Sequence, residues 1–141
     1  MRLGLIADTH GRLPPQVAAV FAGVDQILHA GDVGGLRVIA ELERLAPVTV
    51  VQGNTDVYPW PEEELVELDG LRLWMRHIVD PWAFDPALRR DLGRWRPDLV
   101  VFGHTHQPAD LVREGVRFIN PGSPTKPRGD SPPSVAVLEL G

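Results

Sequence analysis

The feature that most constrains this sequence is where its polar residues fall relative to its apolar runs. Short, β-rich apolar runs recur at Leu3–Ala7, Ile27–Ala30, Val48–Val51, Leu71–Met75, Leu99–Phe102, Val116–Ile119 and Val135–Leu140. Runs of this length suit buried strands. Asp8-Thr9-His10-Gly11 follows the first run and Gly31-Asp32 the second. Gly53-Asn54-Thr55-Asp56 closes the third, His77 the fourth, and Gly103-His104-Thr105-His106 the fifth. Five successive strand ends thus present Asp, His or Asn. Ligands of α/β sheets bind outside the carboxyl ends of the strands, so the pattern calls for a fold that gathers these ends. Glycine precedes the polar residue in three of them, which lets the chain turn sharply and the backbone approach closely.

Helical patterns lie between several runs. Val17, Val20, Phe21 and Val24 follow helical spacing after Pro14-Pro15, a suitable helix start. Leu36, Ile39, Leu42 and Leu45 form a second stripe that stops near Pro47, and Leu88, Leu92 and Trp95 a third that stops at Pro97. The first half therefore reads β-α-β-α-β, with parallel strands and right-handed crossovers. In the second half, Asp69-Gly70 and Glu114-Gly115 mark hairpins. The mixture predicts two packed sheets with helices outside. Residues 121–133 hold five prolines and read as loop. The tripeptide Arg128-Gly129-Asp130 within them matches an adhesion motif and is read as chance, since a short motif needs its context.

With 141 residues the chain is expected to form one domain, spanning 1–141. It has no cysteine, which removes disulfides, thiolate metal sites and cysteine nucleophiles. A formal net charge of −5 argues against a basic surface for nucleic acid or anionic membrane. No apolar run approaches the ~18–20 residues of a membrane helix. The run Met1–Ala7 is too short for a signal peptide, being followed closely by Asp8, His10 and Arg12. A soluble cytoplasmic protein is the expectation. A nucleotide-binding doubly wound domain is disfavoured, because neither Gly-x-Gly-x-x-Gly nor a Gly-Lys-Ser/Thr loop occurs.

Asp8, His10, Asp32, Asn54, His77, His104 and His106 are all good ligands for a divalent metal. Seven exceed the needs of one tetrahedral site and suit two ions sharing a carboxylate, the arrangement that serves in-line phosphoryl displacement. Oxygen and imidazole ligands favour Mn, Fe, Zn, Co or Ni over Ca or Mg. His29 is expected to serve structurally or behind the ligands, and Asp56 to orient Asn54 or a histidine or to cap its loop. Arg12 and Arg76 flank ligands and suit a substrate phosphate, or equally a solvated surface. Trp60, Trp82 and Phe84 suit core packing in preference to a nucleobase-accepting rim.

Taken in order, Asp-x-His, Gly-Asp, Gly-Asn-x-Asp, His and Gly-His-x-His resemble the calcineurin-like metallophosphoesterases, above all their compact bacterial and archaeal phosphodiesterases. The resemblance runs from Met1 to about Ser123, including Asn120-Pro121-Gly122-Ser123, and takes in the final strand. The retromer subunit that uses this fold as a protein-binding scaffold is similar too. The resemblance implies a four-layer α/β/β/α sandwich with two mixed β-sheets. It implies one metal on Asp8, His10, Asp32 and His106, and a second on Asp32, Asn54, His77 and His104. Asp32, Asn54 and His77 then belong to the catalytic group, and Arg12, Asn54 and Arg76 to substrate binding. The implied reaction is hydrolysis of a small phosphate ester, a phosphodiester in preference to a monoester, by in-line attack of a metal-bridging hydroxide, with manganese as the first-choice ion. No stable nucleic-acid or membrane partner is expected, and a homo-oligomer is left open. The sequence departs from the family in three places. Thr55 stands where many members carry histidine, which puts a general acid in doubt. His77-Ile78-Val79 replaces the usual His-Gly-His. The chain is short after His77, which predicts an open rim. The alternative is a non-catalytic scaffold, disfavoured because all seven ligand positions are filled.

Overall fold

The computed structural model describes residues 1–141. The first sheet contains β1 (Arg2–Ile6), β2 (Gln26–His29), β3 (Val48–Val50) and β9 (Ala136–Glu139) in the order β3-β2-β1-β9. β1 pairs parallel with β2, and β2 with β3, as the βαβ rhythm requires, while β9 returns antiparallel to β1. The second sheet contains β4 (Glu63–Leu68), β5 (Leu71–Arg76), β6 (Leu99–Val101), β7 (Ala109–Arg113) and β8 (Val116–Asn120), ordered β4-β5-β6-β8-β7. The expected hairpins join β4 to β5 and β7 to β8, and β5, β6 and β8 run parallel. Helices α1 (Gln16–Val20) and α2 (Leu36–Glu43) connect strands of the first sheet, and α3 (Pro86–Trp95) connects β5 to β6.

Successive strand residues point to opposite faces, and both faces are apolar here. Leu3, Leu5, Ala7, Leu28 and Ala30 of the first sheet meet Leu73, Met75, Leu99 and Val101 of the second in one inter-sheet core. The intervening Ile6 and Ile27 face the other way and pack with Val17, Phe21, Val38, Ile39 and Leu42 of the α1–α2 side. Trp74, Val100, Phe102 and Phe118 pack with Leu88 of α3. The layers are therefore α/β/β/α, as expected. No helix is long and apolar enough to cross a membrane.

The helices are shorter than their apolar stripes. In α1 the helical residues end at Val20, which is exposed, and Phe21 and Val24 reach the core from the turn beyond it. Leu36 opens α2 and is also exposed, so Val38 completes that stripe instead. α3 carries the clearest end signals. Asp85 accepts a hydrogen bond from Leu88 N at 2.8 Å, Pro86 occupies the first turn, and Arg96 closes the helix in the left-handed region before Pro97. Trp82 is exposed rather than in the core, whereas Trp60 and Phe84 pack against it.

α1 lies close against the first sheet because Gly4 of β1 has no side chain. A Cβ there would stand 3.0 Å from the Phe21 ring. Gly4→Val is expected to destabilise the protein by roughly 1–3 kcal/mol through overpacking, measured by urea denaturation. Adding Phe21→Leu should make the combined loss smaller than the sum of the two single losses.

Candidate metal centre

The parallel strands of both sheets end at one edge of the sandwich, and the residues just past them form the site. Five of these residues lie in the left-handed backbone region: Asp8 (φ +55°), His10 (+49°), Asp32 (+54°), His104 (+74°) and His106 (+60°). Such conformations cost of order 1 kcal/mol or more for a residue with a Cβ, and they concentrate at functional sites. Glycines make the close approach between loops feasible. A Cβ on Gly53 would stand 2.1 Å from Asp32 N and Oδ1, and one on Gly31, at φ +101°, would lie 2.8 Å from His77 Nδ1.

The side chains fall into two clusters that share Asp32. Asp8, His10, Asp32 and His106 form one, and Asp32, His77 and His104 the other. In the first, His10 Nε2 lies 3.2 Å from His106 Nε2 and 3.7 Å from Asp32 Oδ2, and His106 Nε2 lies 3.5 Å from Asp8 Oδ1. In the second, His77 Nε2 is 3.3 Å from Asp32 Oδ2. Asn54 joins through its Oδ1, 3.1 Å from His104 Nδ1. The structure thus brings together all seven residues singled out as ligands.

Hydrogen bonds set the protons on two of the imidazoles. His77 Nδ1 lies 2.7 Å from Ala30 O, and His106 Nδ1 lies 2.6 Å from Lys126 O. A carbonyl only accepts, so each Nδ1 carries the hydrogen and each Nε2 presents a lone pair. Burial holds His10, His77 and His106 below the usual histidine pKa, which keeps them neutral and able to ligate. Asp8 is fully buried, and burial pushes its pKa up to about 7 although His104 N–H donates to its Oδ2 at 2.9 Å. For Asp32, burial acts upward, but the Thr55 N–H (2.9 Å) and His77 more than offset it and hold the carboxylate below its usual range. Two buried atoms aimed into the site, Asp8 Oδ1 and His77 Nε2, have no hydrogen-bond partner. Orphaned acceptors of this kind are costly, and a divalent cation in each cluster would satisfy the one that belongs to it. The donor set therefore fits metal ions.

Other side chains hold these loops in place. His29 is completely buried. Gly31 N–H donates to its Nδ1 (3.1 Å), so its hydrogen is on Nε2, which donates to Thr9 Oγ1 (3.0 Å). Thr9 in turn donates to Val33 O at 2.8 Å. This neutral clamp joins the loop after β1 to the loop after β2, and burial pushes the His29 pKa down to about 3. Asp56 accepts from Gly34 N (3.1 Å) and Gly53 N (2.8 Å), so it clasps loops rather than touching a histidine. Asn120 donates to Gly103 O and to Thr105 Oγ1, bracing the loop of His104 and His106. Ser123 and Thr125 donate to Asp8 O. Asn120 was singled out only through family likeness, and Thr125 not at all. A buried polar residue at the end of a strand is the signal that marks Asn120, whereas Thr125, half-buried in the loop, carries none.

A cavity of about 280 Å³ opens beside the second cluster, lined by Asn54, Asp56, Glu62, Arg76, His77 and Ile78 among others. Arg76 reaches it, tethered to Asp91 at 3.6 Å. Arg12 does not; it lines a separate groove with Val17, Val20 and Pro124. Val79, two residues past His77, is buried in the core under α3.

The sequence profile of the calcineurin-like phosphoesterase superfamily domain matches residues 1–141. A probable metallophosphoesterase of Methanothermobacter thermautotrophicus is 39% identical over 149 residues, covering 99% of this chain and 86% of that protein. Phosphodiesterase YfcE of Escherichia coli is 30% identical over 169 residues, covering 99% of this chain and 88% of its own. A crystal structure of wild-type Vps29 complexed with zinc, from Entamoeba histolytica, matches with a TM-score of 0.83 at 26% identity, over 99% of this chain and 86% of that one. The profile spans the whole chain and the relatives cover 99% of it, and the chain belongs to the calcineurin-like phosphoesterase superfamily.

Proposed function

We propose that the protein is a dinuclear metal-dependent phosphodiesterase. The observation that carries this reading is the pair of His/Asp clusters sharing Asp32, with Asp8 Oδ1 and His77 Nε2 orphaned between them. Asp8, His10, Asp32 and His106 are assigned to one ion, and Asp32, Asn54, His77 and His104 to the other. The zinc complex of the related Vps29 supports metal binding by this fold, and the phosphodiesterase name of YfcE supports the reaction class. Manganese is the first ion to test, with Fe, Zn, Co and Ni behind it. When bound, two divalent ions supply Lewis acidity toward a phosphoryl oxygen and bring a water to near-neutral pKa.

The chain's own residues do the rest. The Nδ1–H bonds to Ala30 and Lys126 aim the lone pairs of His77 and His106 inward. The Thr55 N–H fixes one oxygen of Asp32 and leaves the other facing His10 and His77. Asn54, exposed at the mouth of the second cluster, would help to hold an ion there and is open to a substrate oxygen. The small polar cavity beside it receives one ester arm, with Arg76 at its wall. Thr55 takes the place of a histidine proton donor, so protonation of the departing oxygen falls to water. The proposal places the reaction on small diesters in a soluble, cytoplasmic setting. A scaffold reading asks for none of these ligands, and their completeness favours the enzyme.

Purified protein given manganese is expected to hydrolyse bis(para-nitrophenyl) phosphate faster than para-nitrophenyl phosphate. Asp32→Ala should lower kcat/KM by more than about a hundredfold, since the change removes a ligand from both ions. Absence of manganese-dependent hydrolysis, or an unaffected Asp32→Ala variant, would sink the proposal.

Metal affinity should also depend on pH in one direction. Asp8 binds a proton below about pH 7 in the metal-free protein, and an ion must displace it. Affinity is therefore expected to fall by up to about tenfold per pH unit below 7 and to level off above it. Calorimetric titration with manganese in two buffers of different ionisation enthalpy should show close to one proton released on the acid side of pH 7, and a diminishing release above it.

A further inference from the structure

The proline-rich loop carries two cations that the proposed reaction does not use. Its backbone is fastened to the first cluster. Lys126 O holds His106 Nδ1 at 2.6 Å, Arg128 N–H donates to His106 O at 3.3 Å, and Lys126 N–H donates to Ser123 Oγ, which itself donates to Asp8 O. Gly129, at φ +66°, then turns the chain beside Gln107. The side chains of Lys126 and Arg128 are exposed. Arg76 is paired with Asp91 and Arg117 with Asp110, whereas Lys126 and Arg128 have no acidic partner. Both residues therefore flank the first cluster, since each is hydrogen-bonded to His106 through its backbone, Lys126 by its carbonyl and Arg128 by its N–H.

The opposite rim has the other sign. Glu62 and Asp56 line the cavity beside His77, and its one arginine is already paired. The site is thus cationic along the proline-rich loop and acidic beside the second cluster. The scissile phosphoryl group carries one negative charge in a diester, and bound ions already answer it. Two further unpartnered cations on a fixed loop suit a further anion.

On the phosphodiesterase reading given above, we propose that Lys126 and Arg128 clamp a second anionic group of the substrate, a phosphate or a carboxylate, carried on the ester arm that lies over the Asp8–His10–His106 cluster. The preferred substrates are then phosphodiesters with one anionic arm, and the other arm enters the polar cavity beside His77.

Three para-nitrophenyl phosphodiesters that differ only in the second arm test this: ethyl, carboxyethyl and phosphonooxyethyl. Lys126→Gln/Arg128→Gln is the variant, because it removes both charges and leaves the Lys126 carbonyl and the Arg128 N–H in place. With manganese-loaded wild type, at least one anionic diester should show a KM about tenfold below that of the ethyl diester, as for a charge-assisted contact of about 1.4 kcal/mol. The arm that shows the advantage identifies the anion as carboxylate or phosphate. The advantage should shrink toward one in the variant, and in wild type as salt is raised. Equal KM values in wild type, or an advantage that survives in the variant, overturn the clamp. Hydrolysis of the ethyl diester by wild type keeps that failure separate from failure of the phosphodiesterase reading. Calorimetric titration with phosphonoacetate against methylphosphonate reads the clamp without turnover. Where the carboxyethyl arm carries the advantage, wild type should prefer phosphonoacetate by about tenfold and the variant should not, and equal affinities in wild type then overturn the proposal.

Discussion

The structure depends on bringing two carboxylates together at the seam of its two sheets. Asp8 and Asp32 are almost entirely hidden from solvent, and taking a carboxylate out of water costs several kcal/mol unless a partner meets it. Backbone N–H groups from His104 and Thr55 reach one oxygen of each. The other oxygens face imidazoles whose hydrogens are turned away, so those imidazoles present lone pairs and not donors. An arrangement of acceptors facing acceptors is unfavourable alone and becomes favourable around cations. The rise of Asp8 to about 7 is the same fact expressed as protonation.

The rest of the fold can be read as the support for that seam. The inter-sheet core sets how far apart the strand ends lie. Past those ends the chain turns through left-handed conformations at five of the ligand-type residues, and these persist because neighbouring loops over-determine them. His29 ties the first and second loops together, Asp56 the second and third, and Asn120 braces the fifth. The proline-rich loop closes the ring through Asp8 O and His106. All of these ties except the exposed Gly34–Asp56 bond are buried or partly buried, where a hydrogen bond is hard to break without leaving an unsatisfied group.

Much of this was legible in the sequence, because strand ends and ligand chemistry coincide. Apolar runs of four to six residues mark most of the strands, and the first one to three residues past five of them mark the site. Local spacing told less about what lies across the fold. Val20 and Leu36 sit in phase with their stripes yet face water, because α1 ends at Val20 and α2 begins at Leu36. Arg12 is two residues from His10 yet lines another groove, while Lys126 and Arg128, some twenty residues past His106, are held against it by backbone hydrogen bonds. Proximity along the chain is a poor guide to charge placement when the intervening segment is a turn. Composition marked residues 121–133 as loop correctly, but prolines say only that a segment is neither helix nor central strand. They do not reveal that Ser123 and Thr125 anchor it on Asp8.

The central claim is that Asp32 is shared by two ions. Anomalous diffraction from crystals grown with manganese measures it most directly. Two peaks are expected, about 3.5–4 Å apart as in two-metal sites generally, one among Asp8, His10, Asp32 and His106 and the other among Asp32, Asn54, His77 and His104. A single peak, or peaks that do not both contact Asp32, would contradict it.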